Sequence, residues 1–578
     1  MRKLFYAVFL GLAGLFPAVL QGGPLTAYPV ELKVECPSPD AAKTAELKFL
    51  ELPEGKKVAF SARWDDSSVR HLLMRNLLKK HGYKATFYLH DSGNKEFWTK
   101  VFPALISDGF TVGNHTWGHR ELPLLTPHGI HYEILGWKIR LENRSNQPVT
   151  AFVLPYGKFD SQFFPGVPKL IGCSVHRAGL LGGPDFSPEM FRHYGLKENE
   201  FFGSLLVRPG DLNTKAAKFD ADVKKHLTEA AGKPVHLALG IHTRHSEADF
   251  LELGRALLKY AGRPDWWYCN ENEYLAYTYM FRNARVTSKK VNGNTAVFTV
   301  ELPCPELLGS DTPLWAECAG KKIPIRHTRK TPVIIGETSP AGKNAKFPGV
   351  TARLAVPAPD KIRLELTNTG AALENVLLTL RPGPDFKTGC VTEQIPRIEK
   401  TFSREWDVEP DPERQGPGIR LIAAQLDFTR AGRSERLWVT QVTRIRREEP
   451  GRLVQCSLQA FSEAERQQLS RPETELKKGT FFKADFMDNQ RPGVYNVKLP
   501  RRQKPEEPLT AIMDFEGGSA MVLRGELPPT IWLNGTKVKP ERRSVKLDAP
   551  AGKNRLLLVY PPAKRPVRQL VLFLNPAS

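Results

Sequence analysis

The stretch Lys57-Val58-Ala59-Phe60-Ser61-Ala62-Arg63-Trp64-Asp65-Asp66-Ser67-Ser68 decides the fold class. It begins as a short apolar run and ends in a polar turn, the pattern of a buried strand. Val69, Leu72, Leu73, Leu77 and Leu78 then recur at helical spacing, Gly82 stops the helix, and Ala85-Thr86-Phe87-Tyr88-Leu89 makes the next strand. The order repeats with a helical pattern from Phe102 to Ile106, Gly109, and a strand from Phe110 to Gly113. Alternating units of this kind predict an α/β domain on a parallel sheet, either open or closed into a barrel, over residues 56–285.

Beyond Ala284 the texture changes. Segments such as Thr295–Leu302 and Lys361–Leu366 are short and apolar, and turn residues rather than helices separate them. Such a pattern predicts β-sandwiches, divided here into a smaller unit over 286–390 and a larger one over 391–578. Only Ser462 to Leu469 reads as a helix in this half. Upstream of the first strand, residues 24–55 read as a Pro-containing leader. Before them, Met1-Arg2-Lys3 and an apolar run from Leu4 to Leu20 have the layout of a secretory signal over 1–23, with an uncleaved membrane anchor as the alternative. The expected location is therefore outside the cytoplasm, secreted or in the envelope.

Composition agrees with a globular, multidomain chain: 578 residues, 41% hydrophobic and 25% charged, with 47 prolines for loops and turns. These values argue against a disordered or fibrous protein. A net charge of +21 favours anionic partners without choosing among acidic glycans, envelope surfaces and nucleic acid. Arg444, Arg446 and Arg447 run straight into Glu448 and Glu449, as on an ordinary solvated face, so no nucleic-acid partner is expected. The seven cysteines are scattered and show no CxxC metal spacing. Cys304 and Cys318 flank a hairpin pattern and are either a disulfide or two buried thiols.

The chemistry concentrates in the first half. His115 and His119 in Asn114-His115-Thr116-Trp117-Gly118-His119 stand four apart, so on a helical turn both imidazoles can reach one metal ion. Asp65 or Asp66 could supply a third ligand, because strand C-termini in α/β folds face the ligand crevice. Hydrolysis of an amide or ester needs an activated water, support for the oxyanion and an acid for the leaving group, which one divalent ion with two flanking proton carriers provides.

Taken in order, these pieces resemble the polysaccharide deacetylase, or NodB-like carbohydrate esterase, family. The segment Arg63-Trp64-Asp65-Asp66-Ser67 is similar to its acidic motif, His81 to Phe87 to its helix-to-strand segment, and Gly113 to His119 followed by Glu121-Leu122 to its histidine motif. Leu154-Pro155-Tyr156-Gly157 resembles its substrate-groove motif, Leu239-Gly240-Ile241-His242 its closing histidine motif, and Asp265 to Tyr277 its domain end. The resemblance covers roughly residues 55–285 and implies a deformed (β/α) barrel that removes N- or O-acetyl groups from a polysaccharide with one divalent metal ion, usually zinc. It further implies that Asp65 is the general base, that Asp66, His115 and His119 hold the metal, and that His242 protonates the leaving group. Pro155, Tyr156 and Gly157 would line the substrate groove, with a backbone N–H near Tyr156 on the oxyanion.

Two positions depart from the pattern. Ser67 replaces a turn glycine. Val153 replaces the arginine that in the family orients the catalytic aspartate, and the acidic motif ending in Trp that usually partners it is not evident in residues 170–230. Arg63 and Arg177 are the cations that could stand in, and a chain lacking any such cation would be a glycan-binding protein on an impaired site. A small-molecule C–N hydrolase is the other rival, which the export signal and appended β units disfavour. In the second half, Ile531 to Lys537 and Ala551 to Val559 resemble the closing hairpins of galactose-binding-like jelly rolls. Trp532 there is read as core rather than as a sugar-stacking ring, since it sits in an alternating apolar strand.

Overall fold

The computed structural model describes residues 27–576 apart from 123–124, 154, 158–173, 176–209, 213, 241, 244–245, 339–348, 413–417, 446–452, 478–479, 484–493, 499–506, 518–519, 526, 541–543 and 563–568. The signal or anchor at 1–23, Leu154, Arg177, Arg446, Arg447 and the Glu448-Glu449 pair lie outside the described residues. Among the described residues no helix is long and apolar enough to cross a membrane.

The opening strand is Val58–Asp65 (β1), buried at every position. A strand presents alternate residues to opposite faces. Val58, Phe60, Ala62 and Trp64 accordingly enter the main apolar core, with Met74, Leu78, Phe87 and Leu237. The opposite set, Ser61, Arg63 and Asp65, forms a buried polar row. Each member of that row has a partner, Ser61 through His236 at 2.8 Å and Arg63 through Asp65 at 2.7 Å.

The other strands of the sheet are Thr86–Leu89 (β2), Thr111–Asn114 (β3), Ala151–Phe152 (β4), Ser174–Val175 (β5), Gly210–Leu212 (β6), Val235–Leu239 (β7) and Trp266–Tyr268 (β8). Their order is β5-β4-β3-β2-β1-β7-β6, with β8 also on β1. All these pairings are parallel, as the alternation of helical and strand patterns predicts. Helices His71–Lys80 (α1), Phe102–Ser107 (α2), Trp137–Ser145 (α3), Ala216–Ala230 (α4), Glu247–Leu258 (α5) and Glu271–Asn283 (α6) connect or follow them. Among the described residues β5 and β6 are not paired, so the sheet is traced as an open path and barrel closure is not part of it.

The β-rich half is organised differently from the sequence expectation. Residues 24–55 are not a mere leader: Ala27–Glu35 pairs along its whole length with Thr295–Pro303, and Lys48–Phe49 pairs with Leu314–Cys318. These small sheets share a core with Tyr277 and Met280 of α6. The boundary expected at 390 also moves. Leu373–Arg381 pairs with both Val391–Ile398 and Gly418–Arg430, so strands from Val333 to Ile445 form a five-stranded and a three-stranded sheet around one core. Strands between Leu453 and Pro576 form a separate six-stranded and four-stranded pair. The helix expected in this half is present at Glu463–Leu469, capped by Ser462, but it is not alone, since Pro305–Leu308 forms a short second one. Trp532 is buried against Ile512, Leu557 and Val559, in agreement with its reading as core. Cys304 and Cys318 are both buried free thiols, not a disulfide.

Candidate metal centre

The C-terminal edge of the parallel sheet carries the chemistry. β1 ends at Asp65, and the chain turns at Asp66 through a left-handed backbone with φ of 71°. That turn directs successive aspartates to different surroundings. Asp65 is buried, with Oδ2 on Arg63 and Oδ1 without a partner among the described residues. Asp66 is partly exposed and faces three histidines: Oδ1 lies 3.2 Å from His119 Nε2 and 3.7 Å from His115 Nε2, and Oδ2 lies 3.7 Å from His242 Nε2.

His115 and His119 follow β3 on a loop instead of the helical turn expected from their spacing. Thr116 and His119 both have positive φ, 61° and 51°, and this curl brings the two Nε2 atoms to 3.1 Å. The loop is braced from below. Asn114 donates to the Ile134 carbonyl and accepts from Thr116 N–H. The buried Glu133 accepts from Gly118 N–H at 2.7 Å through Oε2, while its own carbonyl takes Trp117 N–H at 2.9 Å. Burial raises the Glu133 pKa above the ordinary carboxylate value, against the pull of Arg120 and the loop N–H groups.

His242 reaches the site because β7 ends at Gly240, with φ of 113°, hard against the Arg63 carbonyl and the Trp64 ring. A Cβ at Gly240 would overlap the backbone of β1, so the close approach requires glycine. His71, the first residue of α1, links this loop to the turn: Nε2 donates to the Asp66 carbonyl at 2.6 Å and Nδ1 lies 3.3 Å from the Thr243 hydroxyl. Burial lowers its pKa to about 4, so it is neutral and can donate at one nitrogen while accepting at the other. Ser67, in place of a turn glycine, donates to the His90 carbonyl at 2.5 Å and accepts from His90 N–H, tying the ends of β1 and β2 together.

The arrangement suits a cation. Asp66, His115 and His119 offer one ligand atom each, all within 4.8 Å of one another. His115 Nδ1 donates to the Val153 carbonyl at 3.0 Å, which fixes its tautomer and leaves Nε2 with a lone pair for a metal. His119 Nδ1 lies 3.2 Å from the Tyr156 hydroxyl, an equivalent outer restraint. Burial, the largest single influence on Asp66, pushes its pKa up, but the hydrogen bonds and charges of His115 and His119 together hold it far below the carboxylate range. The carboxylate is therefore ionised and ready to act as a ligand. One carboxylate and two imidazole nitrogens is a donor set that suits zinc or a similar divalent ion.

The structure thus brings Asp65, Asp66, His115, His119 and His242 to one edge of the sheet. Pro155, Tyr156 and Gly157 form a single tight turn beside them, with Tyr156 at φ of 59° and its ring exposed and packed edge-on against His119. Sequence reasoning missed His71, Glu133 and His90. His90, whose ring lies 4.8 Å from that of His119, directly follows β2, and that position at a strand C-terminus was the signal available for it. Nothing local marks Glu133 as a support of the histidine loop or His71 as a partner of Thr243.

Comparison with known proteins gives a match to the polysaccharide deacetylase family model over residues 60–170. No curated protein matches. Among solved structures, a family 4 carbohydrate esterase pseudoenzyme from Bacillus anthracis is 20% identical, over 39% of this chain and 66% of its own, at a TM-score of 0.25. A peptidoglycan deacetylase from Bacillus subtilis is 17% identical, over 38% of this chain and 90% of its own, at 0.24. A family 4 carbohydrate esterase from Streptomyces lividans, in complex with acetate, is 14% identical, over 36% of this chain and 90% of its own, at 0.22. Scores this low carry no argument about activity. The family-model match, which spans both aspartates and both loop histidines, supports a polysaccharide deacetylase-type domain in the first half of the chain.

Proposed function

We propose that residues 56–285 form a metal-dependent deacetylase that hydrolyses N- or O-acetyl groups on a polysaccharide outside the cytoplasm, with the β units, the last of them galactose-binding-like, helping to hold the glycan. The observation that carries this reading is the convergence of Asp66, His115 and His119 within 4.8 Å, with His242 beside Asp66 and the buried Asp65 next to it in the chain. A divalent ion on those three ligands, zinc by its donor set, would supply a Lewis acid for the acetyl carbonyl and lower the pKa of the attacking water.

The protein's own groups divide the remaining work. Asp65, with Oδ1 uncommitted among the described residues, takes the proton from the attacking water. His242, whose Nε2 lies 3.7 Å from Asp66 Oδ2, gives a proton to the departing amine or alcohol. The turn Pro155-Tyr156-Gly157, exposed at Tyr156, presents its backbone to the substrate, where an N–H at Tyr156 supports the oxyanion. The absence of an arginine at Val153 favours a second reading, a glycan-binding protein with an impaired site, and activity on small amides alone would favour a third, a C–N hydrolase of the same fold.

Zinc-loaded protein incubated with acetylated chito-oligosaccharides, peptidoglycan and acetylated plant glycans should release acetate. Asp65→Asn should lower turnover roughly 100- to 10,000-fold with metal retained, whereas His119→Ala should lose the metal as well. Equal metal loss in both variants would reverse the roles of the two aspartates. Zinc-loaded wild-type protein that binds glycan and releases no acetate would establish the binding reading instead.

A further inference from the structure

We infer that Arg63 is the positioning residue for Asp65, supplying from β1 itself the guanidinium that the turn after β4 does not provide. The inference rests on the deacetylase reading, and its ground is geometric. Residues two apart on a strand share a face, so Arg63 and Asp65 lie side by side in the buried polar row of β1. Arg63 Nη2 donates to Asp65 Oδ2 at 2.7 Å, with side-chain exposures of only 2% and 7%. A buried carboxylate needs a hydrogen-bond partner to be held in one rotamer, and Arg63 is that partner for Oδ2. Engaging Oδ2 fixes the rotation of the carboxylate and leaves Oδ1 as the oxygen that can accept a proton.

Arg63 is itself held. Its guanidinium carbon lies 5.8 Å from the centre of the Tyr88 ring, and the Tyr88 hydroxyl donates to Glu271 at the start of α6. Glu271 N–H in turn donates to Thr86 Oγ1 at 2.9 Å. Tyr88 fits because its neighbour on β3 is Gly113, where any Cβ would overlap the ring. On the far side, Val153 is fully buried with Tyr88, Ala151 and Leu275, while its carbonyl holds His115. The valine therefore serves as an apolar wall for the same tyrosine that braces Arg63. With the cation arriving from β1, a charge at 153 has no acid left to orient. The planar fork matters as well as the charge, because it sets the direction of the hydrogen bond, which a lysine ammonium does not.

The test compares wild-type protein with Arg63→Lys and Arg63→Met, each zinc-loaded, measuring kcat and KM for acetate release and, separately, bound zinc per chain. Arg63→Lys keeps the buried charge but not the fork, and its kcat should fall about 10-fold, that of Arg63→Met about 100-fold, with KM and zinc content unchanged. Wild-type kcat in Arg63→Lys would mean that only charge is needed and would overturn the inference, as would full kcat in Arg63→Met. Zinc lost together with kcat would place Arg63 among the supports of the metal loop and would also overturn it. Should Arg63→Met fail to fold, Arg63→Lys decides alone. A zinc-loaded wild-type protein that deacetylates nothing defeats the deacetylase reading and the inference together, whereas failure of the inference alone leaves the wild type active.

Discussion

Asp66, Thr116, His119 and Tyr156 all sit at positive φ, where a side chain is strained and each residue costs about 1–3 kcal/mol. Three of the four belong to the ligand set or its loop, and the fourth places its hydroxyl on His119. Strain gathered in one place persists only where surrounding contacts hold it, as Glu133, Asn114 and His71 do here. Gly113 shows the same economy of space from the opposite direction, because it leaves room for Tyr88. Gly113→Ala should force that ring off its partner Glu271 and lower unfolding free energy by about 1–3 kcal/mol, measured by urea denaturation. An unchanged midpoint would show that the sheet yields without cost.

Among the elements, the histidine loop depends on a helical segment rather than on its own sequence. Glu133 supplies two acceptors to that loop, its Oε2 to Gly118 and its carbonyl to Trp117. Only the side-chain bond can be removed by mutation. Glu133→Ala should therefore weaken zinc binding by roughly 10- to 100-fold without touching a ligand, which a competition titration with a chromophoric chelator would read. Unaltered zinc affinity would mean that Asn114 and the backbone suffice. The β1 strand shows why the two faces of one element differ so sharply: one is core, and the other is a polar row that remains buried because its members have partners, Ser61 in His236 and Arg63 in Asp65.

At the scale of the whole molecule, the sandwich of residues 333–445 is locked to the α/β domain by buried charge. Arg436 lies 2.6 Å from Asp427 on its own sheet and 3.1 Å from Glu142 of α3, and Trp438 donates to that same glutamate at 2.7 Å. Nearby, His128 and Arg420 share Asp385, at 2.8 and 3.2 Å. Arg436→Met leaves the buried Asp427 without this counter-charge and Glu142 with Lys138 in place of two cations, and should cost about 3–5 kcal/mol. A thermal melt would show the loss, and an unaltered melt would mean the junction is not coupled to folding. Burial also lowers the pKa of His131, which donates to the Leu421 carbonyl of the sandwich, and of His236, both to about 3. A histidine depressed in this way contributes full stability above its unfolded value of 6.5, which is lost as pH falls towards 3. Below about pH 6.5 each should withdraw about 1.4 kcal/mol per pH unit. His236→Gln should flatten the slope of urea stability between pH 6 and 5, and an equal slope would show that His236 titrates normally.

Local pattern was enough for the parts of this protein whose cause is local. The buried strand at Val58, the helix after it, the alternation that builds a parallel sheet, and the placing of Asp65, Asp66, His115 and His119 at strand ends follow from periodicity and from the geometry of successive strands. Partners distant in sequence did not follow. The pairing of Ala27–Glu35 with Thr295–Pro303, the pairing of Val333–Thr338 with Arg433–Ile445, the support from Glu133 and the link from His71 to Thr243 all join segments whose sequences carry no sign of one another. The sequence offers Arg63 and Arg177 alike as stand-in cations and does not choose between them. The role of Arg63 comes from the tertiary structure, because the carboxylate of Asp65 and the ring of Tyr88 offset the cost of burying a guanidinium there.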